Sequence, residues 1–363
     1  MLAQLHRSTL GPISRAYYDE ILNALATFSD EAKLPGGLDH TAAFEVFRLV
    51  LHDNPRIIWS SSSATTTESG SRGVTRMSFS YLRGEAEARA ELDAIALSAD
   101  SILELAADTP SGLARVVAIH DGLLSLGAGV EGGADLRNAL GALGREHAGA
   151  VCTGYARAFK LLCDAANVPC AVVSGWSSDG DLPPKPGRDG DTNHAWNLVD
   201  VSGEKGAPPR WVHVDAYWDA GHDDWSFHHA YLGLSDDEVS KNHLCAGVGF
   251  CPTCGVSAGY YDASGLEARS VGEAEEMLRY ARGDAAVEMH LSLGDEDEFR
   301  RVAHEVTALA TRVWRSVVSS RLMPERRVLL CRKRGAVGNP ASPRGLARLG
   351  GKRTLLAMPS WLR

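Results

Sequence analysis

Apolar positions recur along the chain with two periods, and the switches between them outline its elements. Met77, Phe79 and Tyr81 alternate with Ser78 and Ser80, the period of two expected of a half-buried strand. Leu92, Ile95, Ala99, Ile102 and Leu105 then fall three or four apart, marking one face of a helix. Thr109 followed by Pro110 reads as an N-cap and first helical position, and Leu113, Val116, His120 and Leu123 continue on one face of the helix so begun. His120, alone on that apolar side, reads as a hydrogen-bonded core residue. Between these segments and the start, SSSATTTESGSRG, residues 61–73, reads as a polar loop.

Further on, Tyr155, Phe159, Leu162 and Ala166 form one apolar stripe of a helix that ends near Asn167, before Pro169. CAVVSG (170–175), HAWNLVDV (194–201) and RWVHVDAYW (210–218) read as three short apolar strands. Past residue 265 the pattern predicts a helix (271–282), a strand (287–293), a long helix (295–317) and a strand (327–331). No internal repeat is visible. The chain is therefore expected to be α+β, with a lead-in over 1–110, a core over 111–264, a small α/β unit over 265–332 and a basic tail over 333–363.

Composition narrows the class. Hydrophobic residues at 44% and charged residues at 23% match an ordinary globular protein. No run approaches the roughly 18 apolar residues of a membrane span, and the opening residues lack the apolar stretch of a signal peptide, so a cytoplasmic location is expected. Seven cysteines, an odd number, do not form the pattern of a disulfide framework. A net charge of −9 argues against nucleic-acid binding. The charge is uneven: residues 333–363 hold seven Lys or Arg and no acid, a flexible basic tail with either no role or a weak contact to an acidic surface.

Candidate chemistry begins at Cys152, in or just before the first turn of its helix. Unpaired N–H groups and the positive end of the helix dipole stabilise a thiolate there. A thiolate nucleophile needs a base, and the base needs an orienting partner. His194 opens one strand and Asp215 lies inside the next, with SGEKGAPP between them as a hairpin connection. Folded symmetrically about residues 204 and 205, that hairpin sets His194 opposite Asp215 on one face, within carboxylate-to-imidazole reach. Singly, the three residues also read as a packing cysteine, a strand-end histidine and a turn aspartate; together they are a far more specific set.

GAVCTGYARAFKLLCDAANVPCAVVSG, HAWNLVDV and RWVHVDAYWD resemble the transglutaminase-like superfamily, a papain-related group with a Cys-His-Asp triad. The resemblance is strongest over 112–262 and extends to DNPRIIW (53–59) and YLGLSDDEVSKNH (231–243). It implies a papain-like core in which Cys152 is the nucleophile, His194 the general base and Asp215 the orienting carboxylate, with the nucleophile's helix packed on an antiparallel sheet carrying His194 and Asp215. Ala150 stands where these proteins commonly have Gly, and Tyr217 and Ala220 where a Thr and a second acid are usual; these changes bear on pocket width.

The expected activity is acyl transfer from a peptide or carboxamide through a thioester, with a peptide or protein as substrate, no cofactor and no metal at the triad. Water as acceptor makes a peptidase or amidase, the preferred reading; an amine makes a transglutaminase-type transferase. A catalytically silent peptide-binding module is the rival from another class. The peptide N-glycanase type is disfavoured, since no paired C-x-x-C motif precedes Cys152. The backbone N–H of Cys152 can serve as one oxyanion donor; for the second, the Trp59 indole competes with a plain core role. His243, Cys245, Cys251 and Cys254 invite a structural zinc, although free thiols in a loop explain the segment equally. The stretch 176–193, long for an inert connection, reads as a lid, a specificity loop or a surface insertion.

Overall fold

The computed structural model describes residues 4–109, 112–126, 136–143, 149–178, 184–187, 191–203, 206–220 and 228–336. The chain begins with helices α1 (Leu5–Thr9) and α2 (Pro12–Ala26), strand β1 (Glu31–Lys33), helix α3 (His40–Asp53), strands β2 (Ser60–Glu68) and β3 (Val74–Tyr81), and the long helix α4 (Glu85–Asp108). β1, β3 and β2 form an antiparallel sheet in that order. On β3 the alternation holds, with Val74, Met77 and Phe79 buried against α2 and α3. The Ser/Thr run expected as a loop is instead β2. Its β-branched threonines suit a pleated edge with one wet face, and Thr65 pairs Ser78 while Thr67 pairs Arg76.

Two other expectations shift here. The buried face of α4 is Ala88, Ile95, Ala96, Ala99, Ile102 and Ala106, while Leu105 is exposed. Thr109 caps the C-terminus of α4, its hydroxyl donating to Ala106 O at 2.7 Å, and the next helix starts after Gly112. Pro110 lies outside the described residues.

The central segment runs α5 (Leu113–Ser125), α6 (Leu140–Leu143), α7 (Cys152–Ala165), β4 (Cys170–Ser177), β5 (His194–Asp200), β6 (Trp211–Val214), α8 (Ala216–Asp219), β7 (Leu232–Leu234), α9 (Asp236–Val239), β8 (His243–Cys245) and α10 (Tyr260–Ala263). The five strands make an antiparallel sheet ordered β7-β6-β5-β4-β8. α7 packs on it and shares a core with α4 and α5. α7 is buried nearly all round rather than along a single stripe; its inward Lys160 is neutralised by Asp164 at 2.9 Å and also donates to Cys170 O. The helix ends as expected, with Asn167 left-handed and Val168 N–H closing back on Cys163 O.

Two glycines permit close approach at this centre. A Cβ on Gly154 would sit 2.4 Å from Leu136 O, and one on Gly175 2.0 Å from Leu244 O. The first lets segment 136–138 cross the start of α7; the second lets β8 lie on β4.

The last segment comprises β9 (Glu267–Ala268), α11 (Val271–Tyr280), β10 (Ala286–Leu291), α12 (Glu296–Trp314), β11 (Val318–Met323) and β12 (Val328–Lys333). Its sheet, ordered β11-β12-β10-β9, is covered by α11 and α12 around Leu278, Phe299, Val306 and Met289. β11 was not expected from the pattern, since three of its six residues are polar and five are only half-buried. The expected basic tail lies outside the described residues beyond residue 336.

A buried ionic network joins this segment to the central one. His229 bonds Asp121 at 2.8 Å through Nε2 and Glu288 of β10 at 2.9 Å through Nδ1. His120, buried as expected, bonds Asp121 and Asp219 through its two ring nitrogens. An imidazole that faces a carboxylate at each nitrogen donates from both and is therefore charged. Burial opposes that charge on His229, but Glu288 and Asp121 outweigh it and raise the ring to about 10.

Candidate active site

Cys152 is the first residue of α7, after the extended Val151, so its N–H and that of Thr153 have no intrahelical acceptor. Its thiol is partly accessible. Ala156, Val172 and Ala195 are small and buried around it, which brings the start of α7 against β5. Asn197, at the middle of β5, fixes that distance by donating to Ala156 O at 2.9 Å.

His194 opens β5 and lies beside the thiol. Its Nε2 donates to Asp215 Oδ2 at 2.5 Å, which leaves Nδ1 for Cys152. Burial works to raise the Cys152 thiol, but the hydrogen bond and charge of His194, with the Ala195 backbone, outweigh it and lower the pKa. Burial likewise works to discharge His194, and Asp215 and Cys152 reverse this, raising it to about 10. Asp215 is driven up by burial and held well below the carboxylate range by His194 and His243. Each shift favours the charged form of its group: thiolate, imidazolium and carboxylate.

The structure thus brings Cys152, His194 and Asp215 together, with a register different from the symmetric one. Leu198 faces His213 and Asn197 faces Val214, a shift of two residues. A shift of two keeps every side chain on its face. Asp215 is also not inside the strand: β6 ends at Val214, and Asp215 caps α8. Its Oδ1 accepts from the Tyr217 and Trp218 N–H groups at 3.1 Å, and Oδ2 is left for imidazoles. Each carboxylate oxygen has a separate task.

Two positions with open alternatives are placed here. The Trp59 indole donates to Leu25 O at 2.9 Å, so it is committed to the N-terminal core and unavailable to an oxyanion. His243, considered with the cysteines, turns to Asp215 instead: its Nε2 bonds Oδ2 at 3.0 Å. The cysteines themselves divide. Cys245 and Cys251 Sγ are 2.9 Å apart, whereas Cys254 is buried under Trp196 with its N–H on Asp236.

Sequence reasoning missed the cage around His194. Trp196 stacks on the imidazole at 5.8 Å between centroids, and Trp218 and His243 approach at 5.7 and 5.2 Å. Trp196 is itself held by His213 Nδ1 at 2.9 Å, and His213 by Asp236 at 2.9 Å. The signal for Trp196 was present, since residues two apart on a strand share a face. No local signal reveals His243, which reaches Asp215 only because β8 returns to pair with β4.

Among the described residues, three groups of side chains have donor atoms close enough for a metal ion: His194, Asp215 and His243; His120, Asp121 and His229; and His213, Asp236 and Cys254. In the first two, hydrogen bonds between imidazole and carboxylate already use the donor atoms, and an ion at the first would replace the proton that His194 shares with Asp215.

The pair opens into a cleft of about 660 Å³, whose lining includes Phe44, Arg48 and His52 of α3 and Asp191, Tyr217 and Trp218. Of the long connection 176–193 before His194, residues 176–178, 184–187 and 191–193 are described, and Trp176 and Ser177 end β4. Asn193 pairs with Ser177 through both its amide atoms, and Thr192 accepts from Arg48 at 2.7 Å. Among the described residues, no helix is long and apolar enough to cross a membrane.

Comparison with known proteins finds one family and two relatives to which the chain is similar. Residues 106–216 match the transglutaminase-like superfamily. Over 70 residues the chain is 36% identical to Kyphoscoliosis peptidase of Mus musculus and, to the same extent, of Homo sapiens. That alignment covers 19% of this chain and spans 10% of the length of each relative. The chain thus has an α+β architecture of helices on largely antiparallel sheets, and its residues 106–216 are similar to the transglutaminase-like superfamily.

Proposed function

We propose that the protein is a cysteine-nucleophile acyl-transfer enzyme that hydrolyses peptide or carboxamide bonds, with Cys152, His194 and Asp215 as its catalytic residues. The observation that carries this reading is the hydrogen-bonded chain from the Cys152 thiol through His194 to Asp215 at the floor of an open cleft.

The thiolate adds to the substrate carbonyl carbon, forming a C–S bond and an oxyanion. The Cys152 N–H, free of intrahelical bonding, supplies one donor to that oxyanion. Collapse breaks the C–N bond as His194 gives its proton to the leaving nitrogen. Water then gives a proton to His194 while its oxygen adds to the thioester carbon; the C–S bond breaks and the thiolate–imidazolium pair is restored. The cage of Trp196, Trp218 and His243 holds the imidazole in the one orientation that serves both transfers. Hydrolysis rather than amine transfer is supported by the relatives whose name is that of a peptidase.

The test is incubation with a pool of proteome-derived peptides in H₂¹⁸O, with and without a fluorescent alkylamine. New carboxyl termini carrying ¹⁸O, lost with Cys152→Ser, are expected. Amine-capped products in their place indicate a transferase. Neither product overturns the enzyme reading in favour of a binding module.

A further inference from the structure

Three arginines line the cleft. Arg48 and Arg157 line it from α3 and α7, and Arg137 from the segment that crosses the start of α7. Arg157 is only 3% exposed, yet its neighbours are uncharged acceptors: its Nη1 donates to Arg137 O at 2.8 Å and its Nε points to His52 Nδ1 at 3.5 Å. His52 is kept neutral, by burial first and then by the charges of Arg157 and Arg48. Among the described residues, neither Arg137 nor Arg157 has a carboxylate partner. The acids lining the cleft are Glu45, paired with Arg48, and the exposed Asp191. The buried Nε of Arg48 also has no acceptor.

A buried guanidinium with no counter-ion is costly, and proteins ordinarily pair it. Burial and the charges of Arg137 and Arg48 together lower Arg157 to about 9, the mark of a cation without its anion. Guanidinium groups are suited to a carboxylate, which they bind through paired N–H donors.

We infer that Arg157, with Arg137 and Arg48, forms a carboxylate-binding subsite of the cleft, so that the acyl donor is an anionic peptide whose acidic side chain or free α-carboxylate lies beside the attacked carbonyl. This inference rests on the cysteine-nucleophile reading and adds the class of substrate to it.

Three thiol reagents that differ only in charge test it on the full chain: bromoacetyl-glutamine amide, bromoacetyl-glutamate amide and bromoacetyl-glutamine with a free carboxyl. Rates at Cys152 are read by peptide-resolved mass spectrometry in the wild type, Arg137→Gln and Arg157→Gln. At least one anionic reagent should react about tenfold faster than the neutral one, the order of a single charge-assisted hydrogen bond. That preference should fall about fivefold or more in the variants. Which anionic reagent is preferred separates a side-chain from a terminal carboxylate. Using a ratio cancels any change in the thiolate fraction. The exposed Arg137 keeps the test open if Arg157→Gln does not fold. No anionic preference, or one that survives substitution, overturns the subsite while leaving the nucleophile reading intact. Failure of plain iodoacetamide to select Cys152 counts instead against the nucleophile reading.

Discussion

His194 and His243 donate to the same oxygen, Oδ2 of Asp215, at 2.5 and 3.0 Å. They arrive from strands on either side of β4, and their rings lie 5.2 Å apart. One ionised carboxylate can accept from both, but two adjacent imidazoles do not share charge equally. Burial and the neighbouring His194 charge lower His243, while His194, with the thiol as second partner, is raised to about 10. His243 therefore adds a second donor that fixes the position of Asp215.

From this follows a graded effect of substitution. His243→Ala should lower the rate of Cys152 alkylation near pH 6 by about three- to tenfold, as expected for a lost hydrogen bond to a charged group. His243→Gln, which retains an N–H donor, should recover most of the rate. Equal loss in both variants contradicts a positioning role.

Asn197 links the helix that carries the nucleophile to the strand that carries the base. Its Nδ2 donates to Ala156 O on α7, and its side chain is wholly buried. Asn197→Ala leaves that carbonyl without its partner and opens a small void. Urea unfolding should show a loss of about 2 kcal/mol. An unchanged midpoint and slope contradict the bond's assigned role.

The network between the central and last segments predicts how stability changes with pH. His229 is raised to about 10, so its contribution is complete below the unfolded value of about 6.5 and is lost as pH rises towards 10. Burial raises Glu288 and Asp121, but their histidine partners outweigh it and hold both carboxyls low. Their contribution is present above about pH 4 and is lost as pH falls below it. Glu288→Gln should cost about 3 kcal/mol near pH 6 and flatten the decline in Tm between pH 7 and 10. Parallel Tm curves for wild type and variant rule this account out.

The candidate site was more legible in the sequence than the frame around it. Cys152 stands at the start of a periodic helix, and His194 and Asp215 fall at short apolar strand patterns joined by a turn-rich connection, so the local pattern pointed near each place, although Asp215 sits just past the end of β6. Even the hairpin register, wrong by two, preserved the face, because side chains alternate with a period of two. What local pattern does not encode is return. His243 meets Asp215 after an excursion of 28 positions, and nothing within that stretch distinguishes it from a loop histidine next to cysteines. The same limit applied to β2, where a Ser/Thr run reads as a loop until β3 pairs with it. At Thr109 the error was of another kind: a residue suited to begin one helix was used to finish the previous one.

The most direct test of the central claim is the rate of Cys152 alkylation by limiting iodoacetamide from pH 4 to 9, followed by mass spectrometry, in the wild type and His194→Ala. A thiolate paired with an imidazolium predicts selective labelling of Cys152 with an inflection well below the free-thiol value of about 8.5. The His194→Ala inflection should move up towards that value. Inflections near 8.5 in both proteins, with labelling spread over the other cysteines, would contradict the account.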